Sequence, residues 1–566
     1  MTLPPSPFLS KLRTEFFASP AEKVEIHHLI STRWDRLQAI EDEIARLRAE
    51  QVELQTFINE HLTLVSPIRK VPIDVLREIF LQRMPENGFP ACCALEAPLL
   101  FTGICRLWRE VAISTPTLWN RIYIHLPAPR PDGQPITEKF LAYLHLWREG
   151  VMLWLRRSGT VPLVVSLSSS RSDSRRDEER IHQFHADVVL QLLEHTSRWQ
   201  NLSLNITHRI WRLLTASTTE LSLMKALKVH YDPRITEDPS KLGENHENFV
   251  KAVLQRTPSL HKLHLGPLPD NLPIRWDRLT EISLTGWVQG LKISQAVQVL
   301  SFSCSSLRYF TANIHIEFVD LPTFSPITLP ELQTLNIDVR SMQYRNAIDE
   351  PESVLRRFLD CFDAPNLVNF SLRCITPPRR TVSLTDLVGF LESSGCALRS
   401  LVLSFLATSA ELTELLVGMP SLEQLKLTLE TRLPSESEAP EWHLPGMLID
   451  SLTPSQPNTD VLCPNLEFLV FQRCPASYAL PIIALAEARC AEDSSTQKLK
   501  RLQLHVEHAI DDTEVISRVD ALRNQGMLVK FLSATDTYAK LVTTSPKPDF
   551  CEYVHSGDLW WPIDDV

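Results

Sequence analysis

Eleven copies of one short pattern constrain this chain more than any other feature. Leu-x-x-Leu-x-Leu, with Ile, Phe, Val, Trp, Met or Ala also allowed, begins at Trp199, Met224, Leu260, Leu279, Leu307, Leu332, Leu367, Leu398, Leu422, Leu466 and Leu499. Offsets three and five share one face of a strand, because side chains alternate along it. Pro-Ser, Pro-Glu, Pro-Asn or Ser-Ser commonly introduces a copy, as in Pro258-Ser259-Leu260 and Pro365-Asn366-Leu367. Successive copies start 19 to 44 residues apart, which is less regular than strict repeats. Helix-like stretches such as Val354 to Phe362 and Leu384 to Glu392 lie between them. The unit is a strand, a turn and a helix, and only its neighbours can cover its apolar face. An α/β repeat solenoid follows. The alternative, proline-introduced strands in an ordinary α/β domain, has to produce the pattern eleven times in order.

Offsets two, four and six point the other way. They carry Lys228 and His230; Lys262 and His264; Glu281, Ser283 and Thr285; and Tyr309, Thr311 and Asn313. Further along come Thr334, Asn336 and Asp338; Asn369, Ser371 and Arg373; Gln424, Lys426 and Thr428; and Arg501, Gln503 and His505. Nearly all are polar, as a solvated inner face requires. Lys228, Lys262, Arg373, Lys426 and Arg501 outnumber Glu281 and Asp338, whereas the whole chain carries a net charge of -11. A face opposite in sign to the rest of the molecule suits an acidic or phosphorylated partner. Solvated strands that merely collect lysine and arginine are the alternative. The expected partner face comprises Lys228, Lys262, His264, Arg373, Lys426 and Arg501.

Ahead of the repeats, Leu37, Ile40, Ile44, Leu47, Gln51, Leu54, Ile58 and His61 recur at alternating spacings of 3 and 4 among charged residues. This is a coiled-coil seam, and it predicts a homodimer through residues 37–61. A long helix folding back on the next segment is the alternative. Residues 1–34, with Pro4, Pro5, Pro7 and Pro20, are expected to be a flexible lead, and 35–64 the coil.

Residues 65–126 form the third element. Pro72 fits a first helical position, and Ile73, Leu76, Ile79, Phe80 and Met84 make an apolar stripe until Pro85, Gly88 and Pro90 stop it. A second helix is predicted from Pro98 to Ala112 through Leu99, Leu100, Ile104 and Trp108, followed by Leu118, Trp119, Ile122 and Ile124. So short a segment cannot bury this much apolar surface alone. Val71, Pro72, Leu76, Ile79, Phe80, then Cys105, Arg106, Trp108 and Arg109, then Pro116, Leu118 and Trp119 resemble an F-box. More narrowly, the segment is similar to the F-box-like proteins that mushroom-forming fungi encode in large numbers. It departs from them in Val71-Pro72 for Leu-Pro and in a longer Met84 to Leu99 connection carrying Cys92-Cys93. The repeats resemble the divergent leucine-rich-repeat horseshoe found behind F-boxes.

The resemblance implies a non-catalytic substrate receptor of a cullin-type ubiquitin ligase. Pro72, Leu76, Ile79, Phe80, Ile104, Cys105 and Trp108 would bind a Skp-type adaptor, which joins a cullin scaffold, while residues 127–540 capture a protein substrate. The competing reading is an interaction scaffold whose hairpin caps the solenoid without recruiting a ligase. Residues 541–566, an acidic tail with Trp560-Trp561, would cap the last repeat or serve as a short interaction peptide.

Composition narrows the remaining classes. The acidic balance argues against a nucleic-acid binder, and no apolar run is long enough to span a membrane. Eleven irregularly spaced cysteines and no signal-like start point to an intracellular protein, cytoplasmic or nuclear. Only 15 glycines, and no glycine-rich phosphate loop, count against a nucleotide cofactor. His27-His28, His182 with His185, and His261 with His264 lack cysteines or carboxylates at ligand spacing, so neither a metal nor any other cofactor is expected. No enzyme motif is present.

Overall fold

The computed structural model describes residues 6–85, 88–90, 92–127, 137–169, 178–206, 208–215, 220–230, 242–266, 268–269, 271–285, 290–315, 326–340, 351–375, 384–404, 409–428, 446–454, 461–474, 476–491, 496–506 and 512–533. The chain forms two compact units, residues 1–79 and 80–566. The tail 541–566 lies outside the described residues.

Helix α1 (Pro20–Val65) makes up most of the first unit. Ser19 Oγ accepts from the Glu22 N–H at 3.4 Å, and Glu22 Oε2 accepts from the Ser19 N–H at 2.9 Å. With Pro20 at the first helical position, this reciprocal pair is a complete start signal. The helix therefore begins at residue 20 and not at 35, and the expected flexible lead is part helix. Lys11 Nζ reaches Glu22 at 2.8 Å and lies 4.1 Å from the Phe16 ring centre, drawing the lead back onto the first turns. Helix α2 (Ile73–Gln82) follows Pro72.

In the second unit, the predicted second helix is two. Helix α3 (Leu99–Ile104) and helix α4 (Arg106–Ile113) meet at Cys105, whose extended backbone (φ -156°, ψ 172°) breaks the run. Phe80 stacks on Phe101 with ring centres 4.2 Å apart, and Trp108 closes on Phe80 at 4.9 Å. Trp119 Nε1 donates to Ala112 O at 2.8 Å, and its ring meets Trp154 edge-on at 4.9 Å. Trp154 belongs to helix α5 (Glu138–Arg157).

The sheet is large and wholly parallel. Its strands are β1 (Arg121–Leu126), β2 (Leu163–Ser169), β3 (Trp199–Asn205), β4 (Ala226–Val229), β5 (Lys262–Leu265), β6 (Glu281–Leu284) and β7 (Tyr309–His315). They continue, after the two-residue β8 (Ile327–Thr328), through β9 (Thr334–Arg340), β11 (Asn369–Ile375), β12 (Ser400–Ser404), β13 (Gln424–Thr428), β14 (Phe468–Cys474), β15 (Arg501–Val506) and β16 (Leu528–Ser533). β8 pairs only with β10 (Phe362–Asp363). The other fourteen strands lie side by side in chain order. Parallel neighbours need crossovers, and helices supply nearly all of them. Among the described residues, β5 and β6 are joined through the short turn Trp276–Arg278, and β7 and β9 through β8 without a helix. The protein is thus α/β, with a long N-terminal helix and a parallel sheet built one strand at a time.

All eleven expected strands form, and the pattern's second apolar residue falls in one continuous row. Leu202, Leu227, Leu263, Ile282, Phe310, Leu335, Phe370, Leu401, Leu425, Leu469 and Leu502 pair in succession. Ile122, Val165 and Val529 extend the row at its ends, and no member is more than 5% exposed. At four copies the residue before the motif leucine also has a structural task. Ser306 Oγ donates to Leu279 O, Ser421 Oγ to Leu398 O, Asn366 Nδ2 to Pro330 O and Asn465 Nδ2 to Pro420 O. These bonds tie those four turns to the preceding unit and satisfy carbonyls that no helix or ladder reaches.

Candidate functional site

The strand face opposite the apolar row carries an ordered array of polar side chains. Strand register aligns its side chains in three rows. The central row runs Tyr123, Ser166, Ser203, Lys228, His264, Ser283, Thr311, Asn336 and Ser371, then Val402, Lys426, Val470, Gln503 and Lys530. Side chains bond across neighbouring strands: Asn336 Nδ2 donates to Thr311 Oγ1 and Asn369 Nδ2 to Thr334 Oγ1, both at 3.1 Å. Thr428 Oγ1 donates to Gln472 Oε1 at 3.0 Å. Such pairs are how a sheet holds its side chains in place.

Sequence reasoning expected this face to be solvated throughout, and on β5 to β7 it is not. His264, Glu281, Ser283 and Asn313 are all buried, Ser283 completely. Strands about 4.8 Å apart press short polar side chains into one another until water is excluded. The consequences are chemical. His230 and His264 lie with ring centres 5.0 Å apart, and Thr285 Oγ1 is 3.2 Å from His264 Nε2. Burial, helped by Lys228, pushes the His230 pKa down to about 3. Burial first, then His230 and Lys228, pushes His264 well below the usual imidazole range. Both rings are neutral at neutral pH. Lys262 Nζ sits 3.1 Å from Glu281 Oε2, so that lysine is already engaged.

The strands from β11 onward differ. Arg373 is exposed, while Lys426 and Arg501 are half-buried. Burial, and then Arg373, lowers the Lys426 ammonium pKa, and burial, then Lys426, lowers the His505 pKa. Burial is the larger cause of both shifts, and the neighbouring cation adds to each. Asp338, opposite Arg373 in the register, is the acidic neighbour. Lys530, on the last strand, is exposed in the central row.

Of the residues expected to meet an adaptor, Leu76 and Phe80 are fully buried. They stand one turn apart on α2 and face inward, whereas Ile79 lies about 100° round the helix from Phe80. Ile79 is 39% exposed, and Pro72 is exposed. In the second unit Ile104 (50%) and Cys105 are exposed and Trp108 is half-buried. Leu100 and Leu107, which the reading did not assign, are exposed beside them.

Sequence reasoning also missed the polar residues of the end strands. Tyr123, His125 and Ser168 form a chain, with Ser168 Oγ donating to the Tyr123 hydroxyl and lying near His125 Nδ1, both at 2.9 Å. The strict apolar-polar alternation of Arg121–Leu126 and the Val-Lys-Phe run of β16 carry that signal. Of the histidine pairs, His185 is buried with Nε2 against Pro127 O at 2.8 Å, a core position. Among the described residues no helix is long and apolar enough to cross a membrane. No protein-family model matches this chain, and no curated protein does either.

Proposed function

We propose that the protein is a non-catalytic substrate receptor of a cullin-type ubiquitin ligase, with an F-box-like hairpin for the adaptor and a leucine-rich-repeat-like solenoid for the substrate. One observation carries the reading. Leu100, Ile104 and Leu107 stand open to water on a hairpin whose interior, Phe80, Phe101 and Trp108, is already packed. Apolar side chains left out of a finished core suit a partner's groove. The motif residues quoted for the F-box resemblance name a Skp-type adaptor as that partner. The cations on β11 to β16 suit an acidic or phosphorylated substrate.

The alternative is a scaffold whose hairpin caps the solenoid. Leu118 and Trp119 favour it, since both motif residues are fully buried and Trp119 packs against Trp154 of α5. Affinity capture separates the two. Ile104→Arg places a charge at an exposed position, so it leaves the fold intact and removes adaptor binding on the ligase reading. Full adaptor recovery with that folded variant, or none with the natural protein, refutes the reading.

A further inference from the structure

Helix α1 runs without a break to Val65, and among the described residues its seam stands open: Leu37, Ile40, Ile44, Leu47, Leu54 and Ile58 are each between 43% and 57% exposed. The spacing fixes heptad positions. Leu37, Ile44, Gln51 and Ile58 are at a, and Ile40, Leu47, Leu54 and His61 are at d. Position g then holds Arg36, Glu43, Glu50 and Phe57, and position e holds Glu41, Arg48, Gln55 and Leu62.

We propose that residues 36–62 pair with the same residues of a second copy of this chain in a parallel, in-register, two-stranded coiled coil. In that arrangement each g residue faces the e residue five positions later on the partner helix. The four contacts are Arg36 with Glu41, Glu43 with Arg48, Glu50 with Gln55, and Phe57 with Leu62. The first two join opposite charges, the third joins hydrogen-bonding groups and the fourth is apolar. None is repulsive. The seam agrees: Ile44 and Ile58 at a with Leu47 and Leu54 at d favour two strands, although Leu37 and Ile40 reverse that order in the first heptad. Gln51 meets its own copy only when the helices are parallel and in register, where two amides can bond to each other. An antiparallel pairing sets a against d, so Gln51 would face Leu47. It also sets g against g, bringing Glu43 and Glu50 together.

Within one helix Arg46 already touches Glu43 at 2.7 Å and Glu50 at 3.6 Å. Both contacts lie on the flank of the seam and hold the acids at its edge. Upstream, Phe8 and Leu12 line a cleft of about 400 Å³ with Ile26, Ile30, Trp34 and Leu37, so the lead flanks the start of the seam. The proposal does not depend on the ligase reading.

The test uses the full-length chain and light scattering at low micromolar concentration. The natural protein should be a dimer. Reversing g alone (Arg36→Glu with Glu43→Arg) or e alone (Glu41→Arg with Arg48→Glu) makes the charged contacts repulsive. Either should raise the dissociation constant about a hundredfold, across four reversed contacts per dimer. Mixing the two reversed chains restores every charged contact between them, so they should dimerise with each other. That rescue cannot come from repaired helix stability, because the Glu43–Arg46 contact stays broken in the g variant. A monomeric natural protein overturns the proposal. So does a dimer that both reversals leave intact, or reversed chains that fail to pair when mixed.

Discussion

Mild acid should destabilise the second unit through histidines that the fold keeps neutral. Burial holds His185 at about 4, against an ordinary 6.5, with a partial upward offset from its bond to Pro127 O. His230 is held at about 3. A group whose pKa is lower in the folded state binds fewer protons there, so protons favour the unfolded chain. Stability from such a group is complete above 6.5 and is lost as pH falls toward the folded value. Between pH 7 and pH 5 the unfolded chain takes up a proton at each site and the folded chain almost none. At about 1.4 kcal/mol per pH unit, each histidine then removes about 2 kcal/mol, and the pair about 4 kcal/mol. Folded domains hold only about 5–15 kcal/mol in total, so the effect should be plain. The window excludes most carboxylate titration. Urea midpoints at both pH values, followed by far-ultraviolet circular dichroism, measure it. His264, which burial also holds well below its ordinary range, keeps its share in the His185→Gln, His230→Gln double variant, which should lose about 4 kcal/mol less between the two pH values than the natural protein. An equal acid loss in both refutes the reasoning.

Arg489 is fully buried and donates to Leu452 O, Cys463 O and Leu462 O at 2.8, 3.1 and 2.7 Å. Arg489→Met leaves those carbonyls without a donor and should cost about 3 kcal/mol or more, read as a lower thermal midpoint. On the sheet face, Arg373→Glu with Lys426→Glu should abolish capture of an acidic partner while the adaptor still co-purifies; retention at unchanged salt sensitivity moves the partner site elsewhere. Ile104→Arg should do the reverse, losing adaptor and keeping partner in the same affinity capture.

The strands were the most legible part of the fold, and the reason is local. An apolar residue at offset three must sit in the buried row whatever follows it, so eleven motif copies locate eleven strands. β1 and β16 escaped because their flanking units lack the leucine pattern, although their alternation is clear. The break at Cys105 was not legible, since nothing in Ile104-Cys105-Arg106 forbids a helix. The Ser19–Glu22 start was legible in principle, but proline-rich surroundings masked it. The stripe on α2 was misread for a geometric reason: residues 76, 79 and 80 share a broad face, and only packing decides which part of it is buried. Burial of His264, Glu281 and Ser283 lies beyond any strand pattern, which gives direction but not depth.

Depth changes the electrostatic argument for the polar face. Counted by sequence, its cations spread from Lys228 to Arg501. In the fold, Lys262 is bound to Glu281, and the two central histidines nearby are uncharged. On β5 to β7 the face is therefore largely buried, with its one lysine held by Glu281, and offers a partner little accessible positive charge. Arg373, Lys426, Arg501 and Lys530 remain on β11 to β16, the first and last exposed and the middle two half-open. Burial is the main cause of the lowered Lys426 pKa, and Arg373 close by adds to it, so an arriving anion would favour the charged ammonium. An acidic or phosphorylated segment laid across the last six strands meets these cations, while on β5 to β7 it meets a lysine already held by Glu281 among buried polar side chains. Binding should accordingly weaken with salt, and charge reversal at Lys262 should matter less than charge reversal at Lys426. Equal losses from Lys262→Glu and Lys426→Glu, with both variants folded, would show that the closed half also opens to partners.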